Sequence, residues 1–140
     1  MSAPAPVMSV EGRPFWEAAR EGRLVMKACT ACGRTHYPPR HACPNCWSDK
    51  LEWRDSTGRG TVHTFTIMRR APTPAFAGQI PYVVALVDLD PGPAGGVRMM
   101  ANIVGPDAMD VAIGDQVAVC FEARGGDGAQ VPQFRIVRDV

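Results

Sequence analysis

The stretch CTACGRTHYPPRHACPNC, from Cys29 to Cys46, constrains this chain more than any other, because it sets two Cys-x-x-Cys pairs ten residues apart. Zinc takes four ligands in a tetrahedron, and each Cys-x-x-Cys turn delivers two thiolates from one tight knuckle. Cys29 and Cys32 form the first knuckle, Cys43 and Cys46 the second. Four thiolates fill the coordination sphere and leave no position for an activated water or a polarised substrate, so the spacing predicts one structural zinc ion. Four cysteines also hold iron in some proteins, which is the alternative metal, and a redox dithiol is the remaining reading. Gly33 supplies backbone freedom just after the first pair. The second pair has Pro44 inside it and Trp47 after it, without that freedom. His36 and His41 lie between the pairs and are read as surface polar residues, since the cysteines already saturate an ion.

A chain of 140 residues suits one domain, or a small module fused to a larger one. Fifteen basic and fourteen acidic side chains leave a net charge of +1, a poor match for a polyanion. The start MSAPAPVMS has neither a cationic region nor an apolar core, so it does not read as a secretory signal, and a cytoplasmic location is expected. In that compartment thiols stay reduced, which favours metal ligation over disulfides.

Along the chain, residues 1–12 read as a loose tail. RPFWEAAREGRL reads as a short helix, with Pro14 in its first turn, Phe15, Trp16 and Ala19 on one face, and Gly22 at its end. LVMKA is strand-like, and HYPPR is too proline-rich for a helix and is expected to be extended. Residues 13–50 are therefore assigned to the helix and ribbon, and residues 51–140 to a second domain. There the period changes to two. LEWRDS, TVHTFTIMRR, PYVVALVDLD, VRMMANIVG, QVAVCFEAR and VPQFRIVRD carry strand patterns, with PGPAGG and GGDGAQ as turns. Five main strands in an antiparallel pattern suit a small OB-type barrel. The expected fold is mainly β: a short N-terminal helix, a rubredoxin-like zinc ribbon, then a five-stranded OB-fold barrel.

No metalloprotease, hydrolase-elbow or P-loop motif is present. Cys120 has no base beside it in sequence and is read as a packed side chain. His63 is either a base or a half-buried sheet histidine, and the second is the simpler account. Arg69, Arg70 and Arg98 flank loops and are either phosphate contacts or solvated strand ends. The loop APTPAFAGQIPY, with Phe76 exposed by pattern and Tyr82 at its exit, is the best candidate for a contact surface. A ribbon joined to a barrel also keeps a nucleic-acid role open, with Phe65, Tyr82 and Phe134 as the available stacking rings.

The order of PFWEAAREGRL, CTACGRTHYPPRHACPNC, GRGTVHTFTI, PYVVALVDL, VRMMANIVG, GDQVAVCFE and VPQFRI resembles the acyl-CoA-associated zinc-ribbon and OB-fold family, accessory subunits of thiolase-like enzymes. The departure is Trp47, where glycine is frequent. The resemblance implies a chain that is not an enzyme on its own, binds a thiolase-fold enzyme, and helps form or stabilise its acyl-CoA site. The reactions implied are CoA-thioester condensation, thiolysis or retro-aldol cleavage, as in lipid or steroid side-chain metabolism. Some relatives instead accompany hot-dog-fold enoyl-CoA hydratases. The catalytic groups would then belong to the partner in a hetero-oligomer, with Arg69, Arg70 and Arg98 as candidates for CoA contact and Phe76 and Tyr82 for the partner or pocket surface.

Overall fold

The computed structural model describes residues 4–7, 9–90, 97–125 and 128–137. Helix α1 spans Arg13–Arg20 with Pro14 in its first turn, where a missing N–H costs nothing. Phe15, Ala18 and Ala19, at i, i+3 and i+4, are its buried face. Trp16 lies at the margin of that face, half-buried, and meets Phe15 edge-on at 4.9 Å. The helix stops where Gly22 turns left-handed (φ +80°), with the Arg23 and Gly22 amides closing on the Ala18 and Ala19 carbonyls.

Three strands follow: β1 (Val25–Cys29), β2 (Thr35–His36) and β3 (Leu51–Asp55). They form one antiparallel sheet in the order β2-β1-β3. The strand at residues 51–55 pairs with β1 from Cys29↔Leu51 to Val25↔Asp55, so it completes the ribbon sheet, whereas the change of period in the sequence puts the start of the barrel domain at residue 51. Alternation identified the strand, but only its long-range pairing decides which sheet receives it.

The barrel consists of β4 (Arg59–Met68), β5 (Tyr82–Leu89), β6 (Arg98–Val104), β7 (Gln116–Arg124) and β8 (Ala129–Ile136), closed in the order β4-β5-β6-β8-β7. These are the five expected strands. The antiparallel expectation fails at one pair: β6 and β8 run parallel, at Ile103↔Phe134 and Val104↔Arg135. Strand directions cannot alternate all the way round a ring with an odd number of members, so closure imposes one parallel pair. The turn PGPAGG lies outside the described residues, as does part of GGDGAQ.

On β5 the residues Val83, Ala85, Val87 and Leu89 point into the barrel, while Tyr82 and Val84 point outward. Inside, Val62, Met99, Ile103, Val117 and Phe134 complete the core, and Phe15, Leu24, Val25 and Met26 from the helix and ribbon belong to the same contiguous cluster. The ribbon is thus seated on the barrel through shared apolar burial as well as held by its cysteines. Gly60 lies where β4 pairs with both β5 and β7. A Cβ there would sit 2.7 Å from the Asp88 carbonyl oxygen, so only glycine permits that approach.

Candidate metal centre and adjoining cleft

The two knuckles are built alike. In the first, Gly33 donates to the Cys29 carbonyl at 2.8 Å and Cys29 to that of Arg34 at 2.8 Å; in the second, Trp47 donates to Cys43 and Cys43 to Ser48 at the same distances. The backbone freedom missing from the second knuckle is not spared: Trp47 adopts φ +66°, next to the +80° of Gly33. Both turns aim their sulfurs at one point. The four Sγ atoms lie within 4.8 Å of one another, with Cys29 to Cys46 and Cys32 to Cys43 at 3.6 Å. A tetrahedron with Zn–S bonds of about 2.3 Å has edges of about 3.8 Å, so the donor set fits one zinc ion. Cys29 and Cys43 are buried and Cys32 and Cys46 are exposed.

The thiols differ in acidity. The Arg34 amide and the Asn45 side chain lower Cys32 to about 6. The Cys32 amide lowers Cys29 despite its burial. The Ser48 amide acts to lower Cys46, but burial and the three neighbouring sulfurs outweigh it and push that thiol up to about 12. A cation is what allows all four to be thiolates together, so metal binding here releases protons. With its four sites filled by sulfur, the ion would fix the fold and carry no reactant.

Of the two histidines between the knuckles, His41 is exposed as expected and His36 is not. His36 is 8% exposed because β2 pairs with β1 at Lys27↔His36, which turns the ring inward. Its Nε2 accepts the Arg40 amide at 3.3 Å, and its Nδ1 is buried without a hydrogen-bond partner among the described residues. Burial, with help from Lys27 and Arg40, holds its pKa below the ordinary value.

A cleft of about 320 Å³ opens between the helix, the ribbon and the outer face of the barrel. Trp16 of α1 and Tyr37 after β2 form one wall; Pro72 and Phe76 of the 71–81 loop, with Tyr82, form another. Val84, Met100 and Asn102 line it from β5 and β6, and Arg124, Pro132 and Gln133 from β7 and β8. Phe76 was expected to be exposed and is half-buried, because a 3-10 turn at Pro74–Phe76 folds its ring onto Tyr82 at 6.0 Å and under the Arg124 guanidinium at 5.8 Å. Phe76 and Tyr82 therefore share one site.

Beneath the cleft runs a polar network. Gln133, 2% exposed, accepts the Asn102 backbone amide at 2.8 Å and donates to the Asn102 and Glu122 side chains, both at 3.0 Å. Asn102 donates onward to the Val83 carbonyl at 2.8 Å. Gln133 thus extends the β6–β8 ladder one step past its last backbone pair. No sequence signal marked Arg124, Glu122, Asn102 or Gln133, since strand alternation alone treats each as an outward polar residue.

The three arginines do not converge. Arg69 and Arg70 are exposed and follow Met68, which pairs with Tyr82, so they stand at the end of the β4–β5 ladder where the cleft lies. Arg98 pairs with Asp88, six residues further along β5, which at about 3.4 Å per residue is roughly 20 Å away. Its guanidinium holds the Asp88 carboxylate at 2.6 Å and keeps that carboxyl below its usual range. His63 completes that cluster, 3.2 Å from Arg98, and is exposed where a half-buried position was expected. The β4 register shifts between Val62 and Thr64, and this bulge turns the ring outward. Cys120 is half-buried, opposite Gln133 on β8.

Family models match along the chain: the ChsH2 rubredoxin-like zinc ribbon domain over residues 16–52, and the ChsH2 C-terminal OB-fold domain over residues 53–122. The chain belongs to this ribbon-and-barrel family. A DUF35 domain-containing scaffold protein of Methanothermobacter thermautotrophicus is 36% identical to it over 75% of this chain and 78% of that protein. A probable enoyl-CoA hydratase alpha subunit of Thermomonospora curvata is 35% identical over 79% of this chain. A 3-oxo-4,17-pregnadiene-20-carboxyl-CoA hydratase alpha subunit of Mycobacterium tuberculosis is 33% identical over 76%. This chain spans about a third of the length of those two hydratase subunits. Among solved structures, a chain of the Ltp2-ChsH2(DUF35) aldolase superposes with a TM-score of 0.79 at 32% identity, over 94% of this chain and 98% of that one. A DUF35 protein of unknown function from Sulfolobus solfataricus shares the fold, with a TM-score of 0.61 at 19% identity. The ribbon of this family member carries the four cysteines of one structural zinc site. Among the described residues no helix is long and apolar enough to cross a membrane.

Proposed function

We propose that this chain is a non-catalytic accessory subunit that binds a thiolase-fold enzyme and helps form or stabilise its acyl-CoA site. The observation that carries the reading is the end-to-end match to the ribbon and barrel of the Ltp2-ChsH2(DUF35) aldolase. The reaction it would serve joins or splits a carbon-carbon bond beside a CoA thioester, by condensation, thiolysis or retro-aldol cleavage. The ribbon and α1 are the docking elements in this reading. The cleft and the loop at residues 71–82 border the path of the ester, and the nucleophile and base come from the partner.

Arg69 and Arg70 are the proposed contacts for CoA phosphates, since they share a barrel end with Phe76 and Tyr82. Arg98 is the weaker candidate, because Asp88 already engages it. A second reading, partnership with an enoyl-CoA hydratase, draws support from the two relatives named as hydratase alpha subunits.

The test is affinity purification of the tagged protein from its native lysate, with mass spectrometry and a nuclease-treated control. A thiolase-like protein that survives nuclease is expected. A hydratase in its place would favour the second reading, and ribosomal or polymerase components lost on nuclease treatment would overturn both in favour of nucleic acid.

A further inference from the structure

The two knuckles share one metal site but rest on unequal foundations. The first is part of the sheet: Cys29 ends β1, pairs there with Leu51 and is fully buried, and the strand behind it enters the shared core through Val25 and Met26. The second lies on the loop between β2 and β3. That loop is anchored at Arg40, whose amide donates to His36 and whose carbonyl accepts Lys27, and at Lys50, whose carbonyl accepts the Thr30 amide and hydroxyl. Between these anchors the amides of Cys43 and Trp47 donate within the loop itself, so they do not fasten it to the body. The same loop carries the left-handed Trp47, a conformation disfavoured for any residue with a Cβ. A segment that is strained and bonded to itself opens before the sheet does.

Of the four sulfur-bearing residues, Cys29 and Cys43 are buried, so a reagent from solvent meets Cys32 or Cys46. Cys32 takes two donors, the Arg34 amide and the Asn45 side chain, whereas Cys46 takes the Ser48 amide. Each donor stabilises the thiolate it meets and makes it a weaker nucleophile. With the metal holding both as thiolates, Cys46 is the more reactive of the exposed pair. Cys29, on the opposite knuckle, stands 3.6 Å from it. A disulfide has an S–S length of about 2.05 Å, so closing this gap takes a movement of roughly 1.6 Å, which the loop can supply.

We infer that Cys46 is a peroxide-modification site that closes on Cys29 as a disulfide between the two knuckles and so releases the loop at residues 41–49 from the metal. In the first step the Cys46 thiolate attacks one oxygen of hydrogen peroxide; an S–O bond forms, the O–O bond breaks and hydroxide leaves, giving the sulfenic acid. In the second the Cys29 thiolate attacks that sulfur, the S–S bond forms, the S–O bond breaks and a second hydroxide leaves. Two thiolates have then given up two electrons, and one peroxide has become two hydroxides. The remaining sulfurs, on Cys32 and Cys43, are too few to hold the ion. Because the helix, β1 and the barrel share one apolar cluster, the change stays within the ribbon tip. The inference concerns this chain alone and is independent of which enzyme it serves.

The experiment treats the full zinc-loaded chain with one equivalent of hydrogen peroxide. A chromogenic chelator follows zinc release, and tryptic digestion with tandem mass spectrometry maps the cysteines after free thiols are alkylated. Trypsin cuts after Lys27, Arg34, Arg40 and Lys50, so Cys29 and Cys32 fall in one peptide and Cys43 and Cys46 in another. The expected result is loss of the zinc with these two peptides joined through Cys29 and Cys46, and an unchanged far-UV circular dichroism spectrum. Dimedone in a parallel sample should trap the first sulfenic acid on Cys46. Trp47→Ala removes the indole and keeps the strain, while Trp47→Gly removes both, so the glycine variant should release zinc about threefold more slowly than the alanine variant. Disulfides confined within either peptide, dimedone on Cys32 or Cys120 in place of Cys46, or zinc retained after the peroxide is consumed would each overturn the inference. Equal release rates in the two Trp47 variants would overturn it as well.

Discussion

Trp47 occupies in the second knuckle the place that Gly33 occupies in the first. Each amide donates at 2.8 Å to the carbonyl of its knuckle's leading cysteine, and each backbone is left-handed. For glycine this conformation is free, whereas an ordinary L-residue gives up about 1–2 kcal/mol. Trp47 is also 80% exposed, so its ring returns little burial to the fold. Trp47→Gly should therefore raise the stability of the zinc-loaded protein by about 1 kcal/mol. Thermal unfolding at fixed zinc measures it; a drop in stability would mean that the indole makes a contact the backbone geometry does not reveal.

Removing the metal should have the opposite effect. Four clustered sulfurs are compatible as thiolates only around a cation, so a strong chelator is expected to remove one zinc per chain, unravel the knuckles and release any bound partner. Metal analysis with size-exclusion chromatography reads both. A complex that survives complete zinc loss would show that the ribbon does not carry the docking.

Gly60→Ala tests the barrel corner. The added Cβ meets a backbone oxygen, which cannot rotate aside, and Val87 Cγ1 at 2.8 Å. A loss of about 1–3 kcal/mol is expected in denaturant unfolding. No loss would mean that β4 and β5 can separate without cost.

His36 should make stability depend on pH. Its folded pKa lies below the ordinary 6.5, because burial disfavours the imidazolium. The unfolded chain therefore binds the proton first as pH falls, so stability is full above 6.5 and declines below it until the folded ring also titrates. His36→Gln keeps an acceptor for the Arg40 amide and removes the titration. Between pH ~7.5 and ~5.5, wild type should lose more stability than the variant, with the thiolate contribution cancelling because both carry the same cysteines. Parallel losses would place the pH dependence in groups other than His36.

The features legible in the sequence are those whose cause is local. Cysteine spacing specifies the metal site, proline and glycine bound α1, and alternation marks the strands of the barrel. What escaped depends on which strand meets which. The burial of His36 follows from β1–β2 pairing, the place of residues 51–55 from β1–β3 pairing, and the parallel β6–β8 pair from ring closure. The polar network under the cleft joins Asn102, Glu122, Arg124 and Gln133 from three strands, and no spacing within one strand foretells it. Arg98 illustrates the same limit: beside its loop it reads as a free cation, and only the β5–β6 register reveals Asp88 opposite it.

In the proposed function this chain serves a CoA-ester enzyme without performing the chemistry. The most direct measurement compares acyl-CoA turnover by the isolated chain, by the co-purified thiolase-like enzyme alone, and by the two together. No turnover by the chain is expected, with a clear gain for the enzyme when the chain is added, diminished by Arg69→Ala and Arg70→Ala together. Turnover by the chain alone, or an enzyme indifferent to its presence, would contradict it.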